Sequence, residues 1–220
     1  MRARLTGAAG VALAALATAP GAWAQRAQVS VSAVAVTVGS ALVVNGVEEN
    51  GAGTWIGARM QMRLGPLSAE ASALKGTVVG GAAAQGFDRD GGDVRVIAGL
   101  RVLSGLSIEG NYAIRAFESA AGYQRWTETG AGLRVSESLG TPALRGYLRA
   151  TYLFGVVVSG QPSPDLALAV EGGLTITPAR APISAGVFYR LERFDFPGGG
   201  RLEHFDMLGV ELGLSRGARR

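Results

Sequence analysis

Apolar and charged residues alternate in segment after segment of this chain, and nothing else limits its fold as tightly. One run is Asp93-Val94-Arg95-Val96-Ile97-Ala98-Gly99-Leu100-Arg101-Val102. The next is Leu106-Ser107-Ile108-Glu109-Gly110-Asn111-Tyr112-Ala113-Ile114-Arg115. A period of two belongs to the β-strand, whose side chains point alternately to opposite faces. The pattern predicts ten strands, at residues 29–38, 55–64, 67–77, 93–103, 106–118, 123–135, 144–154, 166–176, 183–194 and 205–214. The first alternates least clearly, could extend through Leu42–Val44, and is retained because an odd antiparallel count cannot close with both termini on one side. Eight strands is the alternative count.

Turn chemistry separates the strands. Gly65-Pro66, Ser104-Gly105, 136–143 and 177–182 read as short connections. Residues 39–54, 78–92, 155–165 and 195–204 read as longer loops, with 119–122 a short exception among them. Short turns on one side and longer loops on the other suit an up-and-down membrane barrel, with short turns and both termini in the periplasm.

The ends and the composition narrow the compartment. Arg2 and Arg4 precede an apolar, Ala-rich stretch from Leu5 to Ala17, and Ala22-Trp23-Ala24 gives a small-x-small cleavage site. Residues 1–24 therefore read as a cleaved secretory signal and 25–220 as one barrel domain. No later apolar run is long enough for a membrane helix. There is no Cys, which excludes disulfides and thiolate metal sites. Positive hydropathy with 34 Gly suits a membrane barrel better than a disordered chain. Of the 21 basic residues 20 are Arg, but they sit singly along strands, so no nucleic-acid stripe forms.

Parity assigns the faces. One set holds Arg59, Arg63, Glu70, Arg95, Arg101, Glu109, Arg115, Glu128, Arg134, Arg145, Arg149, Glu171, Arg190, Glu192 and Glu211. The other holds residues such as Ile56, Met60, Val94, Val96, Leu133, Leu148, Val187, Leu208 and Leu212. An Arg facing lipid near the midplane costs about 2–4 kcal/mol, so nine would cost on the order of 10–30 kcal/mol. Net stabilities are about 5–15 kcal/mol. In a membrane the charged set must point inward, as a network of Arg–Glu pairs crossing the lumen. Tyr112, Tyr123, Tyr152, Phe154 and Tyr189 fall outward, mostly towards the loop end, where rings favour the membrane interface.

Three readings of such a lumen follow: a charge-filled structural barrel, a narrow anion-leaning channel, or an inverted case. The inverted case is a soluble lipocalin-like carrier with the apolar face inside. An even, aliphatic apolar face and a Gly-rich polar face favour lipid outside. Catalysis is a weaker reading. The only His is His204, beside Glu203 and Asp206, and a His held by a carboxylate is half of a base. Asp88, Asp90 and Asp93 are the sole cluster that could take Ca²⁺, and a solvated Gly-Asp loop is the plainer reading. No cofactor is expected.

On these residues the chain resembles the small outer-membrane β-barrel proteins of Gram-negative-type bacteria. The last strand, Met207-Leu208-Gly209-Val210-Glu211-Leu212-Gly213-Leu214, is similar to that superfamily's assembly signal, with Gly209, Leu212 and Leu214 at the matching positions. The family commonly ends on an aromatic residue, whereas this chain continues through Ser215 to Arg220. The resemblance implies an outer-membrane location, lipid and the barrel-assembly machinery as partners, and a monomer. Some such barrels are proteases whose strands rise well above the membrane, an extension not expected here.

Overall fold

The computed structural model describes residues 27–81, 88–119, 122–178 and 181–216. The expected secretory segment, 1–24, lies outside these residues. Ten strands form one antiparallel sheet closed on itself: β1 (Ala27–Val44), β2 (Val47–Leu64), β3 (Leu67–Gly80), β4 (Arg89–Leu103) and β5 (Leu106–Ser119). β6 (Gly122–Ser138), β7 (Leu144–Val158), β8 (Leu166–Ile176), β9 (Ile183–Asp195) and β10 (Arg201–Arg216) complete it. Each strand pairs with its chain neighbour, and β1 closes on β10 from Val29↔Arg216 to Val44↔Arg201. Closure leaves no free sheet edge. β1 begins and β10 ends at the same end of the barrel, here the terminal end.

The stretch at 39–54 is not the loop expected. β1 and β2 continue through it to a two-residue turn, Asn45-Gly46, with φ of 49° and 81°. Both residues are left-handed, as a type I′ hairpin turn requires, and Asn-Gly adopts it most readily. The two strands reach 18 residues each, roughly 60 Å at 3.3 Å per residue. Strands therefore do rise far above any lipid band. Loop residues 155–158 and 201–204 are likewise strand, and the 78–92 connection shrinks to 81–88. Connection length consequently does not separate the two ends. Two-residue links occur at the far end (45–46, 120–121), and five- and six-residue links at the terminal end (139–143, 177–182).

The apolar face is outside. Leu212 is 69% exposed, whereas Arg115, Glu128 and Glu192 are fully buried. A soluble carrier requires the reverse. On β3 the outward run Leu67, Ala69, Ala71, Ala73 ends at Lys75, and on β6 Val135, Leu133 and Ala131 lead up to Arg125. The apolar band is then roughly 20–25 Å tall for strands tilted about 40°. That is the height of a transmembrane barrel's lipid-facing belt. Beyond it the outer wall turns polar; Thr77 Oγ1 there donates to Asp90 at 2.7 Å. The expected outward aromatics, Tyr112, Tyr123, Tyr152, Phe154 and Tyr189, are all exposed.

One irregularity shifts a face. Thr129 pairs with Gly155 and Gly130 with Leu153, so Phe154 is an extra residue, a β-bulge. Below it Arg149, Thr151 and Leu153 point inward; above it Val156 and Val158 do.

Candidate functional site: the filled lumen

The strand register decides which side chains meet inside. Ser32, Arg59, Ser72, Arg95, Ala113 and Glu128 lie in one hydrogen-bonded row around the wall. Long charged arms alternate with small residues, so each guanidinium has space to cross the lumen. Buried arginines each meet two or three carboxylates.

Two groups of charges stack along the axis. In the lower one, nearer the termini, Arg149 donates to Glu109 at 2.5 Å, Glu171 at 3.0 Å and Glu70 at 3.1 Å. Arg59 reaches Glu211 at 3.2 Å and Glu70 at 3.5 Å, with its guanidinium 4.4 Å over the Phe188 ring. Phe188 fits because position 209 is Gly: a Cβ there would lie 2.4 Å from its ring. The Tyr147 hydroxyl donates to Glu171 at 2.8 Å, and Arg134 stacks 4.6 Å over the Tyr147 ring.

In the upper group Arg115 donates to Glu192 at 2.6 Å and Asp93 at 3.1 Å, with Glu128 at 3.8 Å. Arg95 donates to Glu192 at 2.8 Å, Asp93 at 3.3 Å, Glu128 at 3.4 Å and Asn111 at 3.2 Å. Arg190 joins the groups, reaching Glu192 at 2.6 Å and Glu171 at 3.3 Å. Withdrawing such charges from water costs several kcal/mol per ion, offset only where geometry is good and partners are complete. The multiple contacts meet most of that condition and fix the arms in place, while Arg59 Nε, Arg115 Nη1, Glu128 Oε1 and Arg134 Nε are buried without a hydrogen bond.

Above the charges sits an aromatic stopper. Trp126 packs edge-on to Phe194, Phe196 and Phe205 at 5.0–6.2 Å between centroids. Phe117 stacks on Phe205 at 5.8 Å and tilts against Trp55 at 6.0 Å. Trp55 packs against Gly76, where a Cβ would come within 2.4 Å of its ring. Arg115, 4.6 Å over the Phe205 ring, ties stopper to network. Arg201 caps the assembly from the far end, stacked 4.6 Å over Phe196 and bonded to Glu203 and to Gln161 of the β7–β8 connection.

Of the fifteen charged positions read from parity, eleven join these contacts directly, and Arg134 joins more loosely, 3.9 Å from Glu109. Three stand apart at the terminal mouth. Arg101 is exposed and donates to the Gly65 carbonyl at 3.3 Å; Arg145 is exposed; Arg63 is half-buried. Asp93 corrects an expectation: it is not part of an acidic loop cluster with Asp88 and Asp90 but a buried member of the upper group. Among the described residues no group of acids and His is arranged to hold a metal. The stopper was not anticipated. Its signal was present, since Trp55, Phe117, Trp126, Phe194 and Phe205 share the parity of the inward charges on their own strands.

His204 lies within β10, not in a loop, paired with Arg193 and Ala41 and pointing outward. Glu203 points inward to Arg201, and no hydrogen bond joins His204 to Asp206. On β10, Gly209 faces inward while Leu212 and Leu214 face outward at 69% and 65% exposure. The strand is paired on both sides.

The fold is that of bacterial outer-membrane β-barrel proteins. The outer membrane protease OmpT from Escherichia coli superimposes with a TM-score of 0.53 at 10% identity, over 87% of this chain and 97% of that one. The translocator domain of autotransporter NalP from Neisseria meningitidis gives 0.44 at 15% identity, over 94% of each chain. Neisserial surface protein A gives 0.37 at 10% identity, over 84% of this chain and 96% of that one. No protein-family description and no curated protein sequence matches the chain.

Proposed function

We propose that this chain is an integral protein of the bacterial outer membrane whose lumen is closed, with a structural or surface-interaction role carried by its far end. The observation that carries this reading is the filled lumen. Trp55, Trp126, Phe194, Arg115, Glu128 and Glu192 all have no measurable exposure and lie on strands spread around the wall. A conducting pore needs a solvated path along its axis.

The location rests on the roughly 25 Å apolar belt and on charges turned inward. Strands that outrun the belt at one end only favour that end as the outside, with both termini in the periplasm. Lipid is then the main partner, the barrel-assembly machinery reads β10 during insertion, and the protein is a monomer. Catalysis is not part of the proposal. The likeness to the protease is one of fold, and His204 faces away from Glu203.

Purified protein reconstituted in planar bilayers tests closure. Silence at moderate voltage fits the proposal, and steady anion-selective steps would replace it with the channel reading.

A further inference from the structure

Above the terminal mouth, seven carboxylates (Glu70, Asp93, Glu109, Glu128, Glu171, Glu192 and Glu211) face six arginines, whereas the mouth itself adds Arg63, Arg101 and Arg145 with no carboxylate ion-paired to them. Arg101, Ser107, Arg134 and Arg149 lie in one hydrogen-bonded row, so Arg134 and Arg149 are direct cross-strand neighbours. Like charges placed so are destabilising unless a counter-charge is supplied. Glu109 supplies one, but Arg149 takes it at 2.5 Å and leaves Arg134 at 3.9 Å. The Arg134 Nε is buried without a partner.

Arg63 and Arg145 have no hydrogen-bond or ion-pair partner among the described residues, and Arg101 has only a turn carbonyl. Arg101, Arg134 and Arg145 are all near enough for their charges to act on Arg63. Glu70 also reaches this end but is held by Arg149 at 3.1 Å and Arg59 at 3.5 Å, and Glu137 stands at an exposed outward position by the Gly105 turn. Four arginines thus share one mouth with no free carboxylate. Beside Arg63 and Arg134 a cavity of about 20 Å³ opens, whose lining includes these two, Arg149, Ser68 and the carboxylates of Glu70 and Glu109 that Arg149 holds. It holds about one water-sized group.

We propose that this mouth is a blind-ended binding site for a small oxyanion, a phosphate or carboxylate group. One oxygen of the anion fills the cavity beside the Arg134 guanidinium, and Arg63 clasps the anion from β2. Guanidinium forks match such oxygens two at a time. Arg101 and Arg145, out in solvent, supply field that draws anions to the mouth. The stopper above prevents passage, so the site binds without conducting.

The test is calorimetric titration of inorganic phosphate into the folded barrel in zwitterionic micelles. Saturable binding is expected, weakened at least tenfold in Arg63→Gln and in Arg134→Gln and unchanged in Arg201→Gln at the far end. Heat-modifiable gel migration checks that each variant is folded. If Arg134→Gln fails to fold, the double variant Arg63→Gln/Arg145→Gln, in which neither lost side chain has a partner, carries the same expectation. Adding phosphatidylglycerol to the micelles separates sources: competition makes a lipid headgroup the occupant, and no competition makes it a soluble anion. No phosphate binding by the wild type, or equal binding by a folded Arg63→Gln variant, would overturn the proposal. A barrel that binds phosphate and also conducts would refute the closed lumen while leaving the site intact.

Discussion

Arg115 is the side chain whose loss the upper lumen should tolerate least. It is fully buried and meets Glu192, Asp93 and Glu128. With Arg95 and Arg190 it balances those three carboxylates, so the upper group is formally neutral. Arg115→Met leaves one uncompensated negative charge. Breaking a buried ion pair by removing one partner costs about 3–5 kcal/mol. A second route gives a similar figure. The surplus charge can be removed by protonating one carboxylate, which at pH 7 costs about 3.7 kcal/mol for an ordinary Glu, at about 1.36 kcal/mol per pH unit. At pH 5 the same proton costs only about 1 kcal/mol. The folded variant then holds one proton that its unfolded chain gives up above about pH 4.3, so its deficit must shrink as pH falls. Denaturant unfolding in lipid vesicles, followed by tryptophan fluorescence, should show a loss of about 3–4 kcal/mol at pH 7, falling to roughly a third of that at pH 5. Adding Glu128→Gln restores neutrality and should recover more than half of the loss. A deficit under about 0.5 kcal/mol, the range of ordinary surface substitutions, or one independent of pH, would refute the buried network.

Three further outcomes follow from the same geometry. Val96→Arg, in the middle of the outward band, should cost about 2–4 kcal/mol in vesicle unfolding, and Val47→Arg beyond the band close to nothing; equal costs would contradict the belt. Trp126→Ala should destabilise by about 3–5 kcal/mol, yet even combined with Phe205→Ala it should leave the barrel silent in planar bilayers, since the ion network below the stopper still fills the lumen. Gly46→Ala, at φ 81°, should cost about 1–2 kcal/mol by forcing a Cβ into a left-handed turn position, read as a lower unfolding midpoint.

Parity carried the reading of the chain a long way because a membrane barrel has only two faces. Once Arg95 and Arg101 were assigned inward, Val94, Val96 and Leu100 had to face out, and the register agrees. What parity could not supply was height. Trp126 and Glu128 share a face, and only the stagger between strands puts one in a stopper and the other in an ion network. Height also separates Arg115, buried among three carboxylates, from Arg145, exposed at the rim. The Phe154 bulge escaped because one extra residue flips the face of everything after it. The long β1–β2 hairpin was legible in Asn45-Gly46, but small residues around it masked the pairing. Asp93 is close in sequence to Asp88 and Asp90, but it shares the parity of Arg95 and with it the lumen.

Which side of the wall is apolar decides between a membrane barrel and an inverted, soluble one. The chain has no cysteine, so single ones can be placed freely. Bimane attached at Leu208→Cys or Leu133→Cys, both outward, should be quenched strongly by nitroxides carried on lipid acyl chains. Bimane at Ser72→Cys, inward between Arg59 and Arg95, should not be. Equal quenching at inward and outward sites, or quenching only at the inward one, would contradict a barrel with its charges inside.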